Sequence, residues 1–434
     1  MAKLIDRLAY PCVAPDRGWR DAVGSCACRG GALPLGQYAV AWQDAGAVYL
    51  ARDPLGLNPL FFGYSATGGL VVANRVDHVL SAGVGIDEVH SCPPGRVLRV
   101  GTEGVTAVAG EDLSTLSSGN DFSVERFQAA VADKLDRMLD ALACDFPGAR
   151  LVVCLSGGLD SSVVAVRARK RLQSITAVSF SYLSEDDLGA WLKGASPAEL
   201  SSVSDDFRHA HAVAQTSGIP LAPVFRPRGA ALASAPLAVG LAQDWRDFNV
   251  HCAVVNLFLA QDIRARFPGE EVVVLTGDLM NEFVCDYHAE VIDGVSYYPQ
   301  PRMSLGRRRR FFVRGLDAGD REIGVFHAYG LTTVQIYHAV ARDYLGVPEA
   351  YLEQKDAKWA LNGVLLPDEV RAQVGQQKQR AQVGGADGGT LGIFHRAGLD
   401  EQQLLGMWAD ALPGQPDPRS VEALIQFGRY RMPV

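Results

Sequence analysis

The chain has 434 residues, 48% of them hydrophobic and 21% charged, with a net charge of −8 and a mean hydropathy of +0.04. That is the composition of a globular protein with a large core, about two or three domains long, and not of a disordered chain. It excludes a helix of about 18 consecutive apolar residues that would cross a membrane, and the acidic balance argues against a nucleic-acid partner.

Met1-Ala2-Lys3 is followed by no contiguous apolar stretch, so no secretory signal is expected and a cytoplasmic location follows. The eight cysteines are scattered, and only Cys26-x-Cys28 forms a close pair, which fits a reduced compartment and no zinc spacing. Residues 1–110 read as β-rich. Short apolar runs lie at Tyr38–Trp42, Val48–Arg52, Pro59–Tyr64, Leu70–Asn74 and Arg96–Val100, divided by glycine-containing turns. Residues 111–122, rich in Ser, Gly, Asp and Asn, read as a linker. Val124, Phe127, Val131, Leu135, Met138, Leu139 and Leu142 then recur at helical spacing behind Ser123 as cap. Leu151–Leu155 is a continuous apolar run, the pattern of a parallel strand buried on both faces. Further strands are expected at Thr176–Phe180, Leu221–Phe225 and Val272–Leu275 with helices between. This predicts an α/β class with a parallel sheet over residues 123–434, helical from about residue 320 onward.

Between the Leu151–Leu155 strand and the next helix lies Ser156-Gly157-Gly158-Leu159-Asp160-Ser161-Ser162. Glycines let a backbone approach an anion, and the helix start points free N–H groups at it. The segment lacks the Gly-Lys-Ser/Thr ending of a Walker loop, so it is a phosphate cradle of another kind. Asp160 beside phosphate calls for a bridging cation, and Mg²⁺ is expected.

This loop resembles the pyrophosphate loop of the ATP-pyrophosphatases. Ala51-Arg52-Asp53-Pro54-Leu55-Gly56 through Phe62, then Cys92-Pro93-Pro94-Gly95, resemble segments of the class II amidotransferase domain of asparagine synthetases. Leu275–Glu282 and Gln376–Arg380 with Gly384-Gly385 resemble motifs of their synthetase domain, and the likeness extends to β-lactam synthetases. It implies a nucleotide α-hydrolase-like synthetase domain behind a truncated, nucleophile-less amidotransferase-like domain, because Ala2 stands where the family has its catalytic cysteine. The implied reaction is adenylation of a carboxylate by ATP, release of pyrophosphate, and coupling to an amine or ammonia without glutaminase activity, in natural-product biosynthesis. A homodimer is compatible with it.

The resemblance also assigns residues. Leu155, Ser156, Gly157, Gly158, Asp160, Ser161, Ser162, Phe180, Thr276, Gly277 and Lys358 are expected at ATP. Asp160 with Asn281 or Glu282 is expected at Mg²⁺, Asn281 standing where the family has Asp. Asp278, Glu322 and Lys378 are expected to be catalytic. Lys358 reads more readily as a helix-surface lysine, Asp278 has a lesser alternative as a solvated strand-end acid, and Glu322 reads equally as a surface acid. Arg307–Arg310 reads as a solvated loop, and His209 and His211 as facing different sides of a helix. Two other readings stay open: sulfur transfer or tRNA modification by the same loop, and a non-catalytic nucleotide-binding scaffold.

Overall fold

The computed structural model describes residues 3–44, 46–101, 103–116, 121–172, 174–316, 320–375, 388–426 and 429–433. Its centre is a five-stranded, wholly parallel sheet. The spatial order is Leu221–Pro227, Ile175–Leu183, Arg150–Cys154, Val272–Thr276 and Thr332–Gln335. The first strand in sequence is thus central, and the chain runs to one edge before crossing to the other. The point of reversal lies between Arg150–Cys154 and Val272–Thr276, the place where open α/β sheets leave a ligand crevice beyond their strand ends.

Both faces of the sheet are covered, which is why its strands read as unbroken apolar runs. Leu151, Val153, Val273 and Leu275 face the capped helix Val124–Asp145 and the helix Leu159–Arg171. Val152, Val272 and Val274 face the helices Gly229–Ala242 and Asp247–Arg266. Each such side chain, when fully buried, contributes roughly 1.5–3 kcal/mol.

The region from about residue 320 is not helical throughout. Thr332–Gln335 is the fifth strand of the sheet, and Ile425–Gln426 pairs with Arg429–Tyr430. The arginine run is not a solvated loop either. It lies in the helix Leu305–Gly315, and Arg309 is buried, donating to the carbonyls of Phe283 at 2.8 Å, Val347 at 2.9 Å and Tyr344.

The β-rich front part holds two four-stranded sheets. One contains Leu4–Arg7, Leu70–Ala73, Phe61–Tyr64 and His90–Ser91, the other Ala39–Asp44, Ala47–Arg52, Arg96–Gly101 and Gly104–Gly110. Leu50, Phe62, Val72, Leu98 and their neighbours form the core between them. A helix, Trp19–Arg29, packs beside it. The Arg52-Asp53 segment has a structural task. Buried Arg52 donates to the carbonyls of Gly56, Asn58 and Cys92, and buried Asp53 accepts from the N–H groups of Leu55, Leu57 and Asn58. This locks a turn that carries Leu57 into the large cavity described below.

The front part docks closely on the parallel sheet. Gln37 spans the edge strand, donating to Thr333 O at 2.7 Å and accepting from Gln335 N at 3.2 Å. Tyr10 Oη donates to Asp320 at 2.6 Å. Residues 111–116 are also packed: Leu113 is buried, Asp112 pairs with Arg314, and Glu111 with Arg342.

Candidate functional site

The Ser156–Ser162 loop leaves the central strand at the reversal point. Gly157 has φ +79°, and a Cβ there would lie 2.4 Å from Ala210 N. Only glycine lets the loop settle on the helix Asp205–Thr216. Ser161 Oγ braces the turn, accepting from Ser156 N at 3.2 Å and donating to Gly158 O at 3.2 Å. Tyr337 Oη donates to Asp160 O at 3.0 Å from below. Gly277 is set against the same loop: a Cβ there would meet Ser161 N at 2.9 Å.

Loop and second motif open into one cavity of about 1820 Å³. Leu155, Ser156, Gly158, Asp160, Ser161, Phe180, Thr276, Gly277, Asp278, Asn281, Glu282, Glu322 and Lys358 all line it. Gly157 and Ser162 do not. Gly157 faces the neighbouring helix, and Ser162 is fully buried beneath the loop. Lys378 and the rest of Gln376–Arg380, with Gly384-Gly385, lie outside the described residues. The segment leading to them is tied to the loop: Gly375 N donates to Gly157 O at 3.0 Å.

Lys358 is not a surface lysine. Its side chain is 12% exposed, and Nζ donates to Asp160 Oδ2 at 2.8 Å, Asn281 Oδ1 at 2.8 Å and Asp286 Oδ2 at 3.0 Å. Burial opposes its charge, but the carboxylates of Asp160 and Asp286 outweigh that and raise its pKa above the ordinary lysine value. Three non-glycine residues in the left-handed region shape this cluster: Leu279 (φ +87°), Cys285 (φ +58°) and Asp356 (φ +59°). They bracket the short helix carrying Asn281 and start the one carrying Lys358. Such conformations cost of order 1–3 kcal/mol each and persist where surrounding packing enforces them.

A second cluster lies beside the first. Glu322 is buried and hydrogen-bonded to Asp278. Burial first, then the Asp278 charge, hold its carboxyl well above the usual range. Gln335 Nε2 donates to Glu322, and since Gln37 binds Gln335 N, the front part of the chain braces this carboxyl pair. Cys154 lies near both acids, its thiol pushed up by burial and then by their charges. Glu282 turns away from Lys358. It accepts from Tyr287 Oη and faces Arg321 at 3.5 Å. Asn281, not Glu282, therefore sits with Asp160.

Sequence reading missed Asp286, Tyr287, Arg321 and Gln335. Arg321 adjoins Glu322, and Asp286 follows Asn281 by five residues, but neither spacing marks a site until the turns at Leu279 and Cys285 are known. Among the described residues, no group of three His, Cys, Asp or Glu side chains forms a metal cluster, and no helix is long and apolar enough to cross a membrane. No disulfide joins the cysteines among the described residues.

Comparison with known proteins adds the following. No curated protein is similar enough to the chain to count as a relative. Solved structures that resemble it include an NMN synthetase from Francisella tularensis, at 14% identity over 71% of this chain and 93% of that one, with a TM-score of 0.29. An NAD⁺ synthetase from Burkholderia pseudomallei matches at 18% identity over 60% and 89%, TM-score 0.25. A glutamine-dependent NAD⁺ synthetase from Acinetobacter baumannii, in complex with ADP, matches at 14% over 43% and 32%, TM-score 0.24. None of these overlays is close, and the site stands on its own geometry. The asparagine synthase family model matches residues 139–343, the span that holds the phosphate loop, Asp278, Asn281 and Glu322. The match covers just under half of the chain, and over those residues the chain is similar to the asparagine synthase family.

Proposed function

We propose that the protein is an AMP-forming amide synthetase. It adenylates a substrate carboxylate with ATP, releases pyrophosphate, and couples the acyl group to an amine or ammonia. One observation carries the reading. A phosphate loop at the sheet's reversal point shares one cavity with a buried cation–carboxylate cluster and the adjoining carboxyl pair Asp278 and Glu322.

The chemistry runs in two steps. A carboxylate oxygen attacks the α-phosphorus, the bond to the β-phosphate oxygen breaks, and pyrophosphate leaves. The amine then attacks the acyl carbon, AMP departs, and the amine's proton must be taken up. Loop N–H groups and Lys358 are placed to offset phosphate charge in the first step. Asp278 is placed to accept the proton in the second, with Glu322 orienting it by their shared hydrogen bond.

Asp160, Asn281 and Asp286 are hard oxygen donors of the kind Mg²⁺ takes, but all three bond the Lys358 ammonium, so Mg²⁺ would be held there only with Lys358 turned from them toward the phosphates. Asp160 and Asn281, with Asp286, would hold it, and it would supply neutralisation of phosphate charge when bound. The proposal includes no glutaminase step. The thiols of Cys12, Cys26 and Cys92 are pushed up by burial, the reverse of an activated nucleophile. A free or substrate-borne amine suits tailoring chemistry in natural-product assembly inside the cell. The test is exchange of labelled pyrophosphate into ATP, which must depend on an added carboxylic acid.

A further inference from the structure

The arginine run that seemed mere surface charge lines the wall of the reaction cavity. In the helix Leu305–Gly315, Leu305, Gly306, Arg309 and Val313 face the core. The opposite stripe, at spacings of three and four, presents Arg307, Arg310, Phe311 and Arg314 to the cavity. Arg314 is paired with Asp112. Arg307 and Arg310 have no acidic partner among the described residues. Arg308 also lines the cavity, and its Nε is buried without a hydrogen-bond partner. Phe311, 54% exposed, stands among these cations, and Met303, also exposed, lies at the helix entrance. The wall is continuous with the reaction centre, because Phe312 packs on the Tyr287 ring at 4.9 Å and Tyr287 Oη bonds Glu282.

The cavity has two further properties that matter. At about 1820 Å³ it exceeds the roughly 300–1,000 Å³ of ordinary small-ligand sites, so it has room for a sizeable second substrate beside a nucleotide. Its inner end gathers Asp278, Glu282, Asp286 and Glu322, and the two cations among them, Lys358 and Arg321, are already paired with Asp286 and Glu282. A substrate presenting a carboxylate there meets repulsion unless cations elsewhere hold it. In a chain of net charge −8, unpaired arginines gathered on one cavity wall are a local reversal of sign.

We infer that the Arg307–Arg310–Phe311 stripe binds the carboxylate substrate through a second anionic group, carboxylate or phosphate, next to an apolar or aromatic part. Guanidinium groups match such anions by paired hydrogen bonds, and Phe311 takes the apolar part. This rests on the synthetase reading for the substrate's first carboxylate.

The experiment uses the full chain and compares benzylsuccinate, a dianion with a phenyl ring, with 3-phenylpropionate, the monoanion bearing the same ring. Binding is followed by calorimetry at low salt, with ATP binding measured separately on every sample. Benzylsuccinate should bind about tenfold more tightly or better, the gain from a charge-assisted hydrogen-bond pair. Arg307→Gln/Arg310→Gln should abolish the difference and leave ATP affinity unchanged, while Arg307→Lys/Arg310→Lys should keep part of it. The phosphonate analogue 2-benzyl-3-phosphonopropionate identifies the second group: whichever dianion binds more tightly names it. Equal binding of dianion and monoanion, or a preference that survives Arg307→Gln/Arg310→Gln, would overturn the inference. So would a loss of ATP affinity in that variant, which would assign the arginines to nucleotide phosphate. Absence of ATP binding in the unaltered protein would instead count against the synthetase reading itself.

Discussion

Replacing Lys358 by Met removes one ammonium from three acceptors and leaves two carboxylates facing each other. Asp160 is 8% exposed and Asp286 39% exposed. Removing one partner of a buried ion pair typically costs about 3–5 kcal/mol, because the remaining charge is stranded. Asp286 can recover hydration, so its pair counts at the surface scale of about 0–1 kcal/mol. The loss should therefore fall near the lower end, about 3 kcal/mol, and come chiefly from Asp160. The contribution should persist at neutral pH and fade only as pH rises through the raised Lys358 value, since a raised cation stabilises below its pKa. Urea unfolding followed by circular dichroism at pH 7 measures it. Asp160→Asn/Lys358→Met removes both charges, so its loss should be smaller than the sum of the two single losses. A loss under about 1 kcal/mol for Lys358→Met, with strict additivity, would show a solvated lysine and refute the buried cluster.

Glu322→Gln replaces a buried carboxyl of raised folded pKa by a neutral group of the same shape. A carboxyl with a raised folded pKa favours folding most below its ordinary value of about 4.3, and that stability is lost as pH rises toward the folded value. The difference between the stability profiles of the unaltered protein and Glu322→Gln should thus shift in the variant's favour across that interval; a flat difference from pH 4 to 8 would contradict it. Asp278→Asn should retain a measurable share of pyrophosphate exchange while amide formation drops further, by about two to four powers of ten. Equal losses in both assays would move Asp278 from the amine step to adenylation.

The sheet and its phosphate loop were legible because both are local patterns. Buried parallel strands are apolar runs, and Ser156–Ser162 puts Gly157 where a turn and a close packing contact require a glycine. The fifth strand, Thr332–Gln335, was not legible. It is four residues long with only one large apolar side chain, and its outer edge is met by Gln37, nearly three hundred residues earlier in the chain. Arg309 misled for a related reason. Charge predicts solvent, but three backbone carbonyls converge on this guanidinium and compensate its burial. Lys358 and Asp286 meet only because Leu279, Cys285 and Asp356 adopt left-handed turns that no residue type announces. The Arg52-Asp53 segment, marked in the sequence only by its resemblance, fixes a turn at the cavity wall through contacts that the sequence does not display.

The central claim is that the cavity joins ATP to a carboxylate with release of pyrophosphate. Labelled pyrophosphate should exchange into ATP when the protein is given Mg²⁺, ATP and a panel of mono- and dicarboxylic acids, and only with particular acids present. Asp160→Asn should suppress that exchange while the protein stays folded. Exchange that ignores the acid supplied, or ATP turnover yielding only ADP and phosphate, would contradict the account.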